Sequence, residues 1–380
     1  MTLRFGIIGL GLMGREFASA AARWFHLEDM GVTPVIVGIC DTNPQARAWF
    51  EAHVPTVQTS TGDYRDLLAR DDIDAIYCAV PHHLHQQLYT DVIRAGKHLL
   101  GEKPFGIDKE ANEAISSTLR EHPEITVACS SEFPFFPGAL EVFRTAKEGV
   151  GRILEVEAGF LHSSDLNPDK PINWKRQIAT NGAYGCMGDL GMHVLHLPLR
   201  LGWTPRKVRA QLSNIVTERP ERAGSDRRVP CETWDNATLL TEVEQAGYIF
   251  PMTLHTKRIA PGEMNTWFIK VHGTERSAEF STKYPKTLRR LEYPTESRGS
   301  TQAWQHLDLG YESAYPAITG GIFEFGFSDA LLQMFAAFCD EVAHGREGMK
   351  GPLYCVTPTE AAESHRIFTE ALGAHEGADA

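Results

Sequence analysis

Apolar residues in the first third of the chain come in short runs that alternate with amphipathic segments. The apolar runs cover residues 3–9, 35–40, 74–80, 97–100 and 125–129. Continuous runs of this length are typical of strands that are buried on both faces. Between them, the helical spacing of apolar residues covers 13–24, 44–53, 64–69, 84–95 and 109–121. The alternation predicts repeated strand–helix units and therefore an α/β domain with a doubly wound parallel sheet.

After about residue 131 the pattern changes to longer strand-like runs with few helices. A helix is predicted over 137–148, and the strand runs are 153–161, 207–217, 237–242, 247–255, 267–272 and 277–280. Hairpin-length spacings dominate here, so we expect a large, mainly antiparallel open sheet in a second α/β domain. The charged segment 218–230 lacks periodicity and is predicted to be an exposed loop. Two amphipathic helices, 328–344 and 358–372, close the chain.

Composition narrows the class of protein. The chain has 380 residues, of which 42% are hydrophobic and 23% charged, an ordinary composition for two globular domains. The formal net charge of −12 argues against a nucleic acid or an anionic membrane as a partner. We see no signal peptide, and no apolar stretch approaches the roughly 18 residues of a membrane helix. The seven cysteines are scattered without a C-x-x-C pair, so we expect a cytoplasmic protein with neither disulfides nor structural zinc.

The first strand leads into a dinucleotide-binding fingerprint. Gly9, Gly11 and Gly14 form G-x-G-x-x-G around Leu12 and Met13, between a strand and a helix. The glycines permit a tight turn, a close approach of the backbone to a pyrophosphate, and close packing of helix on strand. We therefore assign 1–130 to a Rossmann dinucleotide-binding domain. Residues 131–380 are assigned to an α/β domain for substrate binding and oligomerisation, whose closing helix, 358–372, is able to pack back on the first domain.

The end of the second strand indicates which dinucleotide binds. Asp41 stands where a carboxylate bonds the ribose hydroxyls of the adenosine. Its charge would repel a 2′-phosphate, and residues 42–44 offer no cation to hold one. We therefore predict NAD in preference to NADP, with Arg47 as the one feature that favours NADP.

Two further clusters carry candidate chemistry. Glu102 and Lys103, followed by proline, come directly after a short buried strand, at the sheet edge where α/β proteins bind ligands. Asp189, His193 and His196 are spaced to share one face of a helix, and a carboxylate beside an imidazole suits a general base. An exposed ion pair on a helix is the alternative interpretation of that spacing.

These motifs together resemble the glucose–fructose oxidoreductase / inositol dehydrogenase / MocA family. The resemblance rests on G-L-G-L-M-G, on A-G-K-H-L-L-G-E-K-P ending at residue 104, and on G-D-L-G-M-H ending at residue 193. It extends to V-x-G-T at 271–274 and to the closing helix, and so covers nearly the whole chain. It implies hydride transfer between a nicotinamide and a secondary hydroxyl of a sugar, polyol, glycoside or anhydrosugar, in a homo-oligomer that is a dimer or a tetramer.

The resemblance also implies roles for individual residues. Lys103 would contact both the nicotinamide ribose and the substrate, Asp189 would orient the substrate, and His193 would be the general base. The residues expected to line the cofactor with the fingerprint and Asp41 are Val80, Pro81, His82, His85, Glu102 and Lys103. The substrate residues are expected to be Trp174, Arg176 and His196.

The chain departs from the family pattern at two positions. His196 stands where the family often has aspartate, and it could share the base role of His193. His82 stands where the family often has asparagine; with His83 and His85 it suggests a metal, but no acidic or cysteine ligand is near, so we predict no metal site. Two other functions stay open. One is a redox-neutral, NAD-dependent glycosidase or eliminating enzyme on the same scaffold, and the other is a non-catalytic NAD sensor.

Overall fold

The computed structural model describes residues 1–293, 302–310 and 312–378, and the chain folds into two compact units. The first unit comprises Met1–Phe135 and Glu312–Ala361, and the second comprises Phe136–Tyr311 and Ala362–Ala380. The predicted first domain, 1–130, lies within the first of these segments, whereas the inclusion of 312–361 in that unit has no counterpart in the prediction. Among the described residues, no helix is long and apolar enough to cross a membrane.

Most of the helices follow the predicted amphipathic segments closely, whereas the short helix Ile178–Asn181 was not predicted. They are α1 (Leu12–Ala22), α2 (Pro44–His53), α3 (Tyr64–Leu68), α4 (His85–Arg94), α5 (Lys109–Arg120), α6 (Pro137–Glu148), α7 (Ile178–Asn181), α8 (Cys186–Arg200), α9 (Phe327–His344) and α10 (Pro358–Ala378). Several begin at an asparagine or aspartate whose side chain accepts a backbone N–H, for example Asn43 before α2 and Asp108 before α5.

A six-stranded parallel sheet forms the centre of the first unit, which confirms the predicted Rossmann fold. Its strands are β1 (Thr2–Ile8), β2 (Thr33–Cys40), β3 (Thr59–Thr61), β4 (Ala75–Cys78), β5 (His98–Gly101) and β6 (Val127–Cys129). Their order is β3-β2-β1-β4-β5-β6, which places the switch in winding direction between β1 and β4. The short strand β3 was not predicted, because its three residues carry no apolar run.

An aromatic cluster joins this sheet to the helix α9. Phe17 of α1 stacks on Tyr77 of β4 with ring centroids 4.2 Å apart, and Phe335 of α9 lies 4.2 Å from Phe17 and 5.1 Å from Phe5. Burial of these rings stabilises the placement of α1 and α9 on the sheet.

The second unit is built on an eight-stranded sheet that is antiparallel except for one pair, as predicted. Its strands are β7 (Ile153–His162), β8 (Arg206–Ser213), β11 (Asn236–Gln245), β12 (Tyr248–Lys257), β13 (Met264–Gly273), β14 (Arg276–Ser281), β15 (Thr287–Glu292) and β16 (Gln305–Asp308). Their order is β16-β15-β14-β13-β7-β12-β11-β8, and β7 runs parallel to β12. The helix α8 packs on one face of the sheet, against β7 and β12.

The segment 218–230, predicted as an exposed loop, is more ordered than that. It contains a small antiparallel ladder of β9 (Glu218–Pro220) and β10 (Arg228–Pro230). Arg219 within it is fully buried, because its guanidinium donates to the backbone carbonyls of Asp165, Asn167 and Lys170. The prediction was wrong because a charged residue can be buried when backbone carbonyls accept hydrogen bonds from its guanidinium.

Candidate active site

The glycine-rich turn after β1 forms an open cradle at the start of α1. Gly9 has φ +93°, and a Cβ there would lie 2.2 Å from the carbonyl oxygen of Ala79. A Cβ at Gly14 would lie 2.4 Å from the carbonyl oxygen of Gly9, whereas one at Gly11 would meet nothing within 4 Å. The N-cap residue of α1 is Gly11, which has no side chain to cap the helix. Uncapped N–H groups that face open space fit the pyrophosphate of a dinucleotide.

Asp41 lies beside this cradle at the end of β2. Its carboxylate accepts hydrogen bonds from the backbone N–H of Leu10 and of Asn43, each at 2.8 Å. The bond from Leu10 ties the carboxylate to the glycine turn, and the bond from Asn43 ties it to the start of α2. Arg47, the feature that favoured NADP, donates to the carbonyl oxygen of Asp41 itself.

Two side chains of α4 hold the other predicted cofactor turns. His85 is fully buried; its Nδ1 accepts from the N–H of Gly106 at 3.4 Å, and its Nε2 lies 3.0 Å from the carbonyl oxygen of Val80. Since Nδ1 is the acceptor, Nε2 carries the proton and donates. The Tyr89 hydroxyl donates to the carbonyl of Glu102 at 2.8 Å. One helix therefore holds the turn at 80–85 and the turn at 102–106. Across the described residues, no group of three or more His, Cys, Asp and Glu side chains could hold a metal ion.

Glu102 and Lys103 follow β5, and a second carboxyl group that was not predicted lies near them. The Tyr77 hydroxyl donates to Glu102 Oε1 at 2.8 Å. The Ser130 N–H donates to the Gly101 carbonyl, which joins the segment after β6 to the end of β5. Glu132 follows two residues later and is buried. Burial and the nearby Glu102 carboxylate raise the pKa of Glu132 to about 8, although the Lys103 ammonium lowers it. Two carboxyl groups thus lie beside Lys103, one of them protonated at neutral pH.

In the second unit, α8 carries Asp189 and His193 on a helix that is buried from Cys186 to Pro198. Asp189 accepts hydrogen bonds from two cations. Lys175 Nζ lies 2.8 Å from its Oδ1 and 3.0 Å from its Oδ2, and Arg258 Nη1 donates to Oδ2. The alternative interpretation of an exposed helical pair is therefore wrong, because only 2% of the Asp189 side chain is exposed.

A second carboxylate, Asp165, completes this cluster. Arg258 Nε donates to Asp165 Oδ2 at 2.9 Å, so one guanidinium bridges Asp165 and Asp189. Burial would lower the pKa of Arg258, but the carboxylates of Asp189 and Asp165 outweigh it and raise that pKa. Burial would raise the pKa of Asp165, but the guanidinium of Arg258, together with those of Arg219 and Arg176, lowers that pKa. These four side chains, Asp165, Lys175, Asp189 and Arg258, are called the carboxylate cluster below.

The two histidines of α8 have different surroundings. The imidazole of His193 meets the ring of Phe160 edge to face, with centroids 5.4 Å apart, and Trp267 Nε1 donates to the His193 carbonyl at 2.9 Å. His196 is fully buried, and its Nε2 lies 3.2 Å from Arg200 Nη2. Because a guanidinium only donates, Nε2 of His196 is the acceptor.

Trp174 and Arg176 lie in a short turn of 3-10 helix that the Asn173 side chain caps. Arg176 is fully buried and donates to Asn214 Oδ1, the Val216 carbonyl and Asp235 Oδ2, at 2.8 to 3.1 Å. Its predicted contact with substrate stays a prediction, while the bonds shown make it a brace for the turn.

The structure thus groups the predicted residues in two sets. The first unit brings the glycine turn, Asp41, the turn at 80–85 and Glu102–Lys103 to the carboxyl edge of its sheet. The second unit brings the carboxylate cluster, which includes Asp189, together with the short turn that carries Trp174. Sequence reasoning missed Lys175, Arg258, Asp165 and Glu132. Lys175 stands between two residues that were singled out, and Glu132 follows β6 as Glu102 follows β5.

The first unit has a parallel sheet with a glycine-rich turn suited to a dinucleotide. In the second unit, a helix that packs on a large open sheet carries an acid and an imidazole. These features together are typical of two-domain, nicotinamide-dependent oxidoreductases. The family comparisons agree. Residues 3–129 match the oxidoreductase family with an NAD-binding Rossmann fold, and residues 144–279 match the C-terminal domain of the same family. The protein belongs to the glucose–fructose oxidoreductase / inositol dehydrogenase / MocA family. It is an NAD-binding oxidoreductase, as the sequence predicted.

Individual relatives act on carbohydrates. The chain is 27% identical to a levoglucosan dehydrogenase of Pseudarthrobacter phenanthrenivorans over 292 residues, 73% of each chain. It is 30% identical to a glycosyl hydrolase family 109 protein of a Shewanella species over 169 residues, 42% of this chain and 35% of the relative. Its fold matches levoglucosan dehydrogenase in complex with NADH with a TM-score of 0.85 at 23% identity, over 99% and 98% of the two chains. An inositol dehydrogenase homologue of Azotobacter vinelandii, complexed with NAD⁺, matches with a TM-score of 0.79 at 20% identity, over 99% and 96%.

Proposed function

We propose that the protein is an NAD-dependent dehydrogenase that oxidises a secondary hydroxyl of a sugar, polyol, glycoside or anhydrosugar. Lys103 binds the substrate hydroxyl and the nicotinamide ribose, Asp189 orients the substrate, and His193 is the general base. The similarity to levoglucosan dehydrogenase over 73% of both chains supports this substrate class and favours an anhydrosugar.

Each role follows from what alcohol oxidation requires. Bound NAD supplies the hydride acceptor. His193 takes the hydroxyl proton as the carbonyl forms, and the Lys103 ammonium steadies the oxygen while it carries negative charge. Asp189, which two cations hold, accepts a hydrogen bond from a substrate hydroxyl and so fixes the carbon that reacts. His196 is less suited to be the base, because Arg200 donates to its Nε2.

The single observation that carries the proposal is the buried Asp189 carboxylate. Transfer of an unpaired carboxylate into a protein interior costs several kcal/mol, and this chain places two cations on Asp189. Burying a carboxylate at this cost is explained if the reaction needs a hydrogen-bond acceptor of fixed charge and direction on the helix that also carries His193.

Absorbance of NADH tests the reaction directly. We expect NAD reduction with at least one member of a panel of levoglucosan, inositols, sugars and methyl glycosides. Lys103→Ala should lower kcat/KM by at least about 10³-fold, because it removes a group that acts on the oxygen in the transition state. The exposed Lys109→Ala in the same unit is the matched control and should keep full activity. Full activity of Lys103→Ala with unchanged thermal stability would refute the assignment.

A redox-neutral glycosidase is the second candidate, and the similarity to a glycosyl hydrolase family 109 protein favours it over 42% of the chain. In that reaction the hydride returns to the substrate, so no net NADH accumulates. Release of nitrophenol from nitrophenyl glycosides, dependent on added NAD and without a change in NADH, would identify this reaction. NADH formation with a non-glycosidic polyol would exclude it as the main activity.

We also propose that the protein acts in the cytoplasm as a homodimer or homotetramer. The seven cysteines are buried as small apolar side chains, which fits a reducing compartment. Light scattering coupled to gel filtration measures the assembly, and a mass of 42.3 kDa would show a monomer and overturn that part of the proposal.

A further inference from the structure

The guanidinium of Arg258 is shared between two acids in a fixed geometry. Its Nε donates to Asp165 Oδ2 at 2.9 Å and its Nη2 lies 3.4 Å from Asp165 Oδ1, so one edge of the group lies along both oxygens of that carboxylate. The third nitrogen, Nη1, donates to Asp189 Oδ2. A guanidinium is planar and rigid, unlike an ammonium on a flexible stem. The orientation of Arg258 on Asp165 therefore sets the direction from which Nη1 reaches Asp189.

The backbone joins Asp165 and Arg258 as well. Asp165 follows β7 and Arg258 follows β12. The two strands are parallel, and their last paired residues are Leu161 and Lys257. The Asp165 N–H donates to the Arg258 carbonyl at 3.1 Å, and the Arg258 N–H donates to the Asp235 carbonyl at 2.8 Å. Because main chain and side chains are both bonded, neither Asp165 nor Arg258 can shift without the other.

The two cations on Asp189 constrain its carboxylate differently. Lys175 Nζ lies 2.8 Å from Oδ1 and 3.0 Å from Oδ2, so it hardly distinguishes the two oxygens. Arg258 donates to Oδ2 from a rigid group. The terminal torsion of an aspartate is broad, so the carboxylate plane turns easily unless a partner holds it. Arg258 is therefore the partner that fixes the rotation of the Asp189 carboxylate.

The main chain of α8 is fixed without the help of Arg258. At the start of the helix, the Cys186 N–H donates to the Trp234 carbonyl at 2.9 Å, and the Thr256 hydroxyl of β12 lies 3.6 Å from Cys186 Sγ. These bonds place the helix, whereas the bond from Arg258 orients one side chain on it.

Asp165 lies behind Arg258 and is fully buried. Its side chain is 0% exposed, and the Arg258 guanidinium stands between it and Asp189. Asp165 therefore does not meet a substrate hydroxyl that Asp189 accepts. Any effect of Asp165 on the reaction is transmitted through Arg258.

We propose that Asp165 is a positioning residue for the dehydrogenase reaction: it orients Arg258, and Arg258 in turn fixes the plane of the Asp189 carboxylate against the substrate hydroxyl. The alignment of the reacting carbon depends on the direction of that hydrogen bond. The inference rests on the proposed dehydrogenase function and adds to it a residue that does not touch the substrate.

Asp165→Asn keeps the size of the side chain and removes its charge. The amide oxygen can accept from Arg258, but the amide NH2 then faces a guanidinium nitrogen, and both groups only donate. We expect kcat with the reactive sugar of the panel to fall about tenfold to a hundredfold, the loss that a misplacement of about 1 Å causes. The KM should change by less than about threefold, because the substrate still bonds to Asp189. Affinity for NADH, measured by fluorescence titration, should not change.

Glu279→Gln is the matched control. Glu279 is an acid of β14 in the same unit, its side chain is 13% exposed, and its partners are His272 and Arg289. The variant therefore also replaces a largely buried carboxylate by an amide. It should keep the kcat and KM of the wild type.

A double-mutant cycle with Asp189→Asn separates positioning from a general effect on folding. If Asp165 acts through the Asp189 carboxylate, Asp165→Asn should lower kcat by less than about twofold once Asp189 is replaced. A merely structural role predicts the same factor in both backgrounds. Thermal melting followed by circular dichroism gives the folded fraction of each variant, and rates are expressed per folded molecule.

Arg258→Lys provides a second test, which also serves if Asp165→Asn does not fold. Lysine keeps a positive charge between the two acids, but its one nitrogen does not hold both carboxylates in the geometry of the planar fork. We expect the same result, a lowered kcat at nearly constant KM that disappears in the Asp189→Asn background. A wild-type kcat for Arg258→Lys would overturn the proposal.

The outcomes are distinguishable. If the wild type reduces NAD with a sugar, but Asp165→Asn keeps kcat, changes only KM, or lowers kcat by the same factor in both backgrounds, the positioning role is refuted and the dehydrogenase function stands. If the wild type reduces NAD with no member of the panel, the proposed function fails, and the Asp165 inference fails with it.

Discussion

Replacing Arg258 by methionine removes the guanidinium between two buried carboxylates and keeps a side chain of similar length. Asp189 would retain Lys175. The cations left near Asp165 would be Lys170 and Arg176, at 3.7 and 4.0 Å. Removing one partner of a buried ion pair costs about 3–5 kcal/mol of unfolding free energy, because the remaining charge is desolvated without compensation. We expect a loss in this range at neutral pH.

The pH dependence of that loss has a definite sign. In the wild type the pKa of Asp165 is lowered, because Arg258, together with Arg219 and Arg176, opposes the effect of burial. A lowered pKa contributes stability above the unfolded pKa, and this contribution is lost as pH falls through the folded pKa. The variant lacks the contribution at every pH. The difference between wild type and variant should therefore be largest above about pH 5 and should shrink toward about pH 3, where protonation removes the unpaired charge.

Urea unfolding followed by far-UV circular dichroism, at neutral and acidic pH, measures this difference. Arg206→Met is the matched control: Arg206 pairs with Glu244 at 2.7 Å, but the two side chains are 65% and 52% exposed. Exposed pairs contribute at most about 1 kcal/mol. A loss for Arg258→Met as small as for Arg206→Met, or one that does not depend on pH, would show that the bridge does not stabilise the second unit.

Two other predictions concern the first unit. The pKa of Glu132 is raised to about 8, so the stability of the wild type should be highest below the pKa of the unfolded state and should fall as pH rises toward 8. Glu132→Gln should reduce this pH dependence of the unfolding free energy, measured by urea unfolding. An unchanged pH dependence would contradict the presence of a buried neutral acid. Gly14→Ala should weaken NADH binding by at least about tenfold in fluorescence titrations, because its Cβ would lie 2.4 Å from the Gly9 carbonyl and push α1 away. Gly373→Ala, where a Cβ meets nothing within 4 Å, should bind NADH as the wild type does.

The sequence by itself determined most of the helices and strands and the dinucleotide-binding fold of the first unit. The predicted helix over 44–53 is α2 (Pro44–His53), and the run at 3–9 is β1 (Thr2–Ile8). Both elements are specified locally, by the spacing of apolar residues along the chain and by the turn residues at their ends. The open glycine turn and the position of Asp41 beside it were predictable for the same reason: both lie within a few residues of a strand end.

Only the tertiary structure decided which charges surround the candidate catalytic acid. Lys175 and Arg258 reach Asp189 from 14 and 69 positions away in the chain. Arg258 comes directly after β12, and because β12 runs parallel to β7, it lies beside Asp165, which follows β7. This parallel pair is an exception within a mainly antiparallel sheet, and no local pattern signals it. Burial then changes what the side chains do: Glu132 becomes a neutral acid at physiological pH, and a fully buried Arg219 holds a segment that reads as an exposed loop. These effects depend on desolvation and on partners distant in sequence, and both arise only when the sheets are assembled.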